Sequence, residues 1–327
     1  MKAVLLDGFG EAEVMRIGQI DVPQARDGML LIKVAAASVN RPDLIQRRGH
    51  YPPPPGESEV LGLEVAGTVE ALGSGVQGFT VGERVLALIG GGGYAEYATA
   101  HAGHVMRMPE AMSFEAAACV CETYITAYMN IFGGARLKDG ESVLLHGGGG
   151  GVNTAGIQLC KALAPASRVL VTASPGKLER VAALGADHVI DYRHQDFAEI
   201  TLEITAGRGA DVILDHIGAD YFEANLKALA IGGRLVIIAA MSGREVTLNL
   251  GRLMVKRQSI LGSVLRSRSV EEKAAIIADF ERVVMPLFAS GRIAPEIHAV
   301  LPLENVVRAH QMMEKSEHFG KIVLRMN

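Results

Sequence analysis

The chain contains no tryptophan, and aromatic residues make up only 5% of its 327 positions. It therefore lacks the aromatic-and-basic stripe on which single-stranded nucleic acid stacks. Only three cysteines occur, Cys119, Cys121 and Cys160. They are too few for a disulfide framework and form no paired C-x-x-C motif, so small buried thiols kept reduced are expected. Charge of neither sign dominates, since 32 Lys and Arg stand against 36 Asp and Glu, a formal net of −4. Neither nucleic acid nor an anionic membrane is then an expected partner. No uninterrupted apolar run reaches bilayer length, and Met1-Lys2-Ala3-Val4 opens directly into a strand-like segment. Together these absences lead to the expectation of a cytoplasmic protein.

Glycine is abundant, with 38 residues, and 49% of positions are hydrophobic. That is the composition of a globular α/β protein, and the length exceeds what one core usually fills, so two domains are expected. The most informative stretch runs from Ser142 to Leu163. Val143-Leu144-Leu145 is a short apolar strand that breaks into Gly147, Gly148, Gly149, Gly150 and Gly151. An amphipathic helix follows from Val152, with Ala155, Gly156, Leu159, Cys160 and Leu163 at helical spacing. Glycines let the backbone turn sharply and approach a pyrophosphate, while the first N–H groups of the helix point at its charge. The frame Gly147-x-x-Gly150-x-x-Asn153 nearly fits the dinucleotide fingerprint, with Asn153 in place of a third glycine. That asparagine is expected to push the helix outward or to turn its amide toward the phosphates. Five glycines in series are also expected to leave the empty loop floppy.

Arg168–Ala173 reads as the next buried strand and completes a βαβ unit. An NAD site would carry a carboxylate at its end to hold the ribose 2′-hydroxyl. Here Ala173 is followed by Ser174-Pro175-Gly176-Lys177, and no carboxylate appears before Glu179. A serine can hydrogen-bond a 2′-phosphate and a lysine can neutralise it, which favours NADPH over NADH. Further alternation continues with strands at His188–Asp191, Asp211–His216, Arg234–Ala240 and Ser259–Ser263. Helices are expected at Lys177–Leu184, Gln195–Ala206 and Tyr221–Ala230. This pattern implies a parallel sheet covered on both faces, with ligands outside the strand carboxyl ends. Ile217, Ala239, Met241, Ser263 and Leu265 would then lie beside the nicotinamide half of the cofactor.

The first third is β-rich, with candidate strands at Lys2–Leu6, Leu30–Ala36, Leu63–Ala71, Arg84–Ile89 and Tyr94–Ala98. Frequent turns between them suggest a partly open barrel. Within it, Pro52–Pro55 follow Tyr51 and form a stiff extended loop that would fix Tyr51 at the edge of a cleft. A helix over Glu122–Phe132 enters the second domain, and Ser269–Ser290 is a long helix before a last strand at Lys321–Met326.

Several runs carry a family resemblance: V-N-R-P-D-L (Val39–Leu44), L-G-L-E-V-A-G-T-V (Leu61–Val69) and V-G-E-R-V (Val81–Val85). With L-L-H-G-G-G-G-G-V (Leu144–Val152), A-A-L-G-A-D-H-V-I-D-Y (Ala182–Tyr192) and G-K-I-V-L (Gly320–Leu324), the chain resembles the medium-chain dehydrogenase/reductase superfamily. Among its branches it is most similar to the NADPH:quinone oxidoreductases. The resemblance implies a GroES-like β-barrel catalytic domain, residues 1–123 and 265–327, and a Rossmann doubly wound parallel sheet, residues 124–264. It also implies that Tyr192 lies by the adenosine 2′-phosphate together with Ser174 and Lys177, and that Thr126 lies near the nicotinamide.

Zinc-dependent members of that superfamily place a cysteine and a G-H-E histidine where this chain has Ser38-Val39-Asn40 and Gly62-Leu63-Glu64. Leucine and asparagine cannot replace those ligands, so no zinc site is expected. The pair His101 and His104, and likewise His188 and His194, are expected to be surface or loop residues. Without a metal, a site of this kind suits acceptors that are already electrophilic, such as quinones or α,β-unsaturated carbonyls. Tyr51 and Asn40 are the candidate donors to the developing oxyanion. A non-catalytic NADPH-binding structural or single-stranded nucleic-acid-binding protein is the alternative outside enzymology, and the weak basic balance argues against it. An exposed edge at Ser259–Ser263 leads to the expectation of a homodimer.

Overall fold

The structure is a computed structural model and describes residues 1–326. The chain divides into two compact units, Met1–Ile125 with Leu265–Asn327, and Thr126–Val264.

In the first unit, β1 (Lys2–Leu6) pairs antiparallel with β2 (Met15–Gln19). Five further strands follow: β3 (Met29–Val39), β4 (Glu64–Leu72), β5 (Arg84–Leu88), β6 (Tyr97–His101) and β7 (Val105–Arg107). β3, β4, β5 and β7 are successive antiparallel neighbours, and β6 pairs with the first half of β3. Residues an even number of positions apart on each strand face one core: Leu30, Ile32 and Val34 from β3, Val65 and Val69 from β4, Val85 and Ala87 from β5. This is the GroES-like barrel.

The second unit holds β8 (Ser142–His146), β9 (Arg168–Ala173), β10 (His188–Asp191), β11 (Ala210–Asp215), β12 (Leu229–Ile237) and β13 (Ser259–Gly262). All pair in parallel, in the order β10-β9-β8-β11-β12-β13. The chain starts at β8, winds outward through β10, and returns to the other side of β8 at β11. Strand order therefore reverses between β8 and β11, the place where a doubly wound sheet binds its ligand. Every residue of β8 is buried, which is why its sequence shows no polar alternation.

The chain then re-enters the first unit through the helix Val270–Ala289, whose start is fixed by a reciprocal cap. Ser269 Oγ accepts the Glu272 N–H, and the Glu272 carboxylate accepts the Ser269 N–H. β14 (Ile297–Pro302) runs parallel to β15 (Lys321–Arg325), and β15 lies antiparallel to β3. The last strand thus completes the sheet that the first hundred residues began.

Several local expectations need correction. The strand expected at Tyr94–Ala98 starts three residues later, because Tyr94 is held outside the ladder: its N–H donates to Leu61 O and its carbonyl accepts Val4 N–H. β2, β7 and β14 were not anticipated; they are short or interrupted by Arg, Gly and His. The helix over Glu122–Phe132 begins at Thr123 and widens after Tyr128 into a π-turn, Met129–Gly134. His104 is buried rather than a surface residue: its Nε2 lies 3.0 Å from Val270 O and its ring packs edge-on against His101. Burial lowers its pKa to about 4, so the ring is neutral.

Candidate functional site

The glycine turn is built from β8, β9 and the first turn of the helix Gly151–Leu163. Gly147 has φ of +76°, a conformation that side chains avoid, and its N–H and that of Gly148 both donate to Thr172 O. Thr172 Oγ1 also accepts the Gly147 N–H and donates to His146 Nδ1, while His146 Nε2 donates to Asn225 Oδ1 at 2.7 Å. Burial depresses the His146 pKa to about 3, so this chain of bonds is neutral. The turn is thus tied to β9 and is not a floppy loop. A Cβ on Gly148 would collide with Val171 and Val181, and one on Gly149 with the aliphatic stem of Lys177. The helix that follows is thirteen residues long, with its positive end on this turn.

Asn153 does neither of the things expected of it. Its side chain is 1% exposed, and Nδ2 donates inward to the carbonyls of His146 and Gly147. The helix is not pushed away, because Gly156 supplies the close approach three residues on. A Cβ there would lie 3.2 Å from Ile131 and 3.3 Å from Leu145.

At the end of β9, Ser174 and Lys177 are half-buried, Lys177 reaches back across Gly149, and Tyr192 follows β10 as an exposed ring. The neighbouring Asp191 carboxylate is engaged by His194 Nδ1 at 2.6 Å and by the Arg193 N–H, which hold its pKa below the usual range. At the end of β11, the buried Asp215 carboxylate accepts the N–H groups of Ile217 and Gly218. Ser242 N donates to Ile217 O at 2.8 Å and Met241 N reaches His216 O. Ile217 and Met241 are thereby brought together, with Ala239 and Ala240 on the same stretch of chain. Ser263 N extends the β12–β13 ladder to Ile237 O, and its buried Oγ has no partner. A buried hydroxyl lacking a partner fits a ligand group that would complete it.

The first unit contains a buried polar cluster that the sequence did not reveal. Lys321 on β15 and Glu64 on β4 are 4% and 0% exposed at the side chain and form an ion pair at 2.9 Å. Lys321 Nζ also donates to Asn40 Oδ1 and, at 3.2 Å, to Val39 O. Glu64 Oε1 further accepts Ser38 Oγ at 2.5 Å and Asn40 Nδ2 at 3.0 Å, and Oε2 accepts the Glu122 N–H. Both Asn40 amide hydrogens are occupied, the second by Ser38 O. Beside this cluster, the Asp43 carboxylate accepts Asn40 N, Gly62 N and Tyr94 Oη. Burial nevertheless raises its pKa to about 6, and burial followed by Glu64 raises Glu122 to about 8. Tyr94 Oη meets His310 Nε2 at 3.2 Å, and Arg47 Nη1 meets His310 Nδ1 at the same distance. Since Arg47 can only donate, His310 carries its proton on Nε2.

Tyr51 is half-buried, and the Arg266 guanidinium lies over its ring, 5.1 Å from the centroid. Thr126 is half-buried on its helix, where its carbonyl accepts Asn130 Nδ2 at 2.8 Å. Leu265 is buried. The residues missed by the sequence reading are Glu64, Lys321, Glu122 and Arg266. A lysine at the head of the apolar run K-I-V-L and a glutamate inside L-G-L-E-V-A-G were the available signals, because such charges in strands need partners. Among the described residues, no group of three or more His, Cys, Asp or Glu is arranged to hold a metal. No helix among them is long and apolar enough to cross a membrane.

Comparison with known proteins agrees with this construction. A model described as the alcohol dehydrogenase GroES-like domain matches residues 26–110, and one described as zinc-binding dehydrogenase matches residues 184–324. The chain is 31% identical to the synaptic vesicle membrane protein VAT-1 homolog of Danio rerio, over 99% of this chain and 69% of that protein. It is 33% identical to the quinone oxidoreductase of Lama guanicoe, over 99% and 97% of the two chains. Among solved structures, mycobacterial Rv1454c complexed with NADPH superposes with a TM-score of 0.87 at 32% identity, covering 99% of both chains. CurK enoyl reductase gives 0.88 at 27%, covering 100% of this chain and 99% of that one. A GroES-like unit and a dinucleotide-type parallel sheet on one chain define a two-domain dehydrogenase or reductase. The chain belongs to the medium-chain dehydrogenase/reductase family and is quinone-oxidoreductase-like within it.

Proposed function

We propose that the protein is an NADPH-dependent quinone reductase that works without a metal. The observation that carries the coenzyme choice is the end of β9, where Lys177 lies against the glycine turn and no carboxylate occurs before Glu179. Gly147–Gly151 and Val152 would hold the pyrophosphate. Ala173, Ser174, Lys177 and Tyr192 would hold the adenosine 2′-phosphate end. Ile217, Ala239, Met241, Ser263, Leu265 and Thr126 would line the nicotinamide end. NADPH, when bound, supplies the hydride. Tyr51 donates its phenolic O–H to the acceptor oxygen as that oxygen gains negative charge. Asn40, with both amide hydrogens already used, serves by holding Lys321 and Glu64 in place rather than as a second donor.

Support for metal independence comes from donor chemistry. Asn40 and Leu63 are not zinc ligands, and an ammonium group, Lys321 Nζ, is bonded to Asn40 and Glu64. We place the enzyme in the cytoplasm as a homodimer covering the edge strand β13. An enal or enone double-bond reductase is the second reading, favoured by the likeness to CurK enoyl reductase.

Lys177→Ala tests the coenzyme assignment. Loss of a charge-assisted bond to phosphate, about 1.5–3 kcal/mol, weakens NADPH roughly 10- to 150-fold. NADH should weaken less than about threefold by the same fluorescence titration, since it has no 2′-phosphate. Equal loss for both coenzymes refutes the assignment. Turnover on 1,2-naphthoquinone against a 2-alkenal separates the two reductase readings. Tight NADPH binding with turnover on neither would place the chain among non-catalytic binders.

A further inference from the structure

The loop that carries Tyr51 has few means of holding itself; one backbone bond closes inside it, from Glu57 N–H to Pro54 O at 3.1 Å. Four consecutive prolines, Pro52–Pro55, remove four backbone N–H donors, so this stretch can be fixed only through its carbonyls and its flanks. The Glu57–Pro54 bond does not reach Tyr51, whose carbonyl takes its donor from outside the loop, and Arg266 is that donor. Its side chain is buried, with the residue 6% exposed. Nη1 donates to Tyr51 O at 3.2 Å, and Nη2 to Gln46 Oε1 at 2.8 Å. Nε and Nη2 both donate to Gly90 O. Gln46 in turn donates through Nε2 to Glu59 O at 3.1 Å. One guanidinium therefore ties together the helix before the loop, the tyrosine within it and, through Gln46, the residue that leaves it. Its cation also covers the Tyr51 ring. The charged groups facing it are Asp43, Glu57 and Glu122.

We propose that Arg266 is a positioning residue that fixes Tyr51 for its role as donor to the acceptor oxygen. This rests on the donor role given to Tyr51 above. A lysine keeps the charge but cannot reach three acceptors with a rigid fork, so the two functions of the side chain are separable.

The experiment uses the full-length enzyme and the variants Arg266→Met, Arg266→Lys, Tyr51→Phe and the double variant Arg266→Met/Tyr51→Phe. Misplacing a reacting group by about 1 Å can cost roughly 100-fold, so Arg266→Met should lower kcat with 1,2-naphthoquinone about 10- to 100-fold. The KM and Kd for NADPH should stay within about twofold, and Arg266→Lys should recover little. The double variant should be no slower than Tyr51→Phe alone, because both changes remove one function. A purely structural role would give multiplying losses, and that result overturns the proposal. Trypsin cleavage after Arg48, at the start of the loop, gives a readout independent of turnover. It should accelerate at least about tenfold in Arg266→Met and remain at the wild-type rate in Tyr51→Phe. Unchanged cleavage in Arg266→Met overturns the positioning role whatever Tyr51 does. Wild-type turnover by Tyr51→Phe overturns the donor role itself, and is distinguished by its normal cleavage rate.

Discussion

Replacing Lys321 with methionine removes the cation from a carboxylate that has no contact with water. Glu64 is fully buried, and its oxygens then accept only from neutral groups, Ser38 Oγ, Asn40 Nδ2 and the Glu122 N–H. Breaking a buried pair on one side costs about 3–5 kcal/mol, since the remaining charge is left uncompensated. The change also strips Asn40 Oδ1 of its donor, which adds about 1 kcal/mol or more, while Val39 O loses the ammonium but stays in the β3–β15 ladder. Adding Glu64→Gln to Lys321→Met takes away the second charge. The amide introduced by Glu64→Gln can face Ser38 and Asn40, where the hydroxyl can turn to accept and the Asn40 amide, freed of Lys321, can flip. The double variant should therefore recover at least about 2 kcal/mol relative to Lys321→Met alone. Urea unfolding followed by circular dichroism measures these differences. Hydrogen exchange of peptides from β3 and β4 against β8 and β9 assigns them to the first compact unit. A loss below about 1 kcal/mol for Lys321→Met, or no recovery in the double variant, would refute the electrostatic reasoning.

Two other perturbations follow from the same physics. Burial raises the Glu122 pKa to about 8 from an ordinary value near 4.5, so the folded protein holds that proton more tightly than the unfolded chain. Stability should accordingly fall as pH rises from 4.5 to 8, with a ceiling near 5 kcal/mol, reduced to about 1–2 because the residue is only half-buried. Glu122→Gln stays neutral; its Tm should match wild type at pH 5 and exceed it at pH 9, and parallel curves would refute the assignment. Gly148→Ala puts a methyl into Val171 and Val181, at a cost of about 1–3 kcal/mol, and displaces the glycine turn. NADPH affinity should drop at least about tenfold, whereas Gly176→Ala, whose Cβ meets nothing within 4 Å, should bind normally. Similar affinities for the two variants would count against the turn as the pyrophosphate cradle.

The sequence determined what depends on neighbours along the chain. Six short apolar segments alternating with helical ones specify a parallel doubly wound sheet, because a strand buried on both faces must be apolar throughout. The glycine turn and the missing carboxylate after Ala173 are local as well, and they were legible for that reason. What the tertiary structure decided is which distant polar groups share a burial site. Lys321 and Glu64 are 257 residues apart, and Arg266 and Tyr51 are 215 apart. No periodicity encodes such pairs, since a buried charge announces only that it needs a partner, not where that partner lies. Asn153 illustrates the same limit over a shorter distance. Its position in the fingerprint was plain, but the direction of its amide was set by the carbonyls of His146 and Gly147 that folding left within reach.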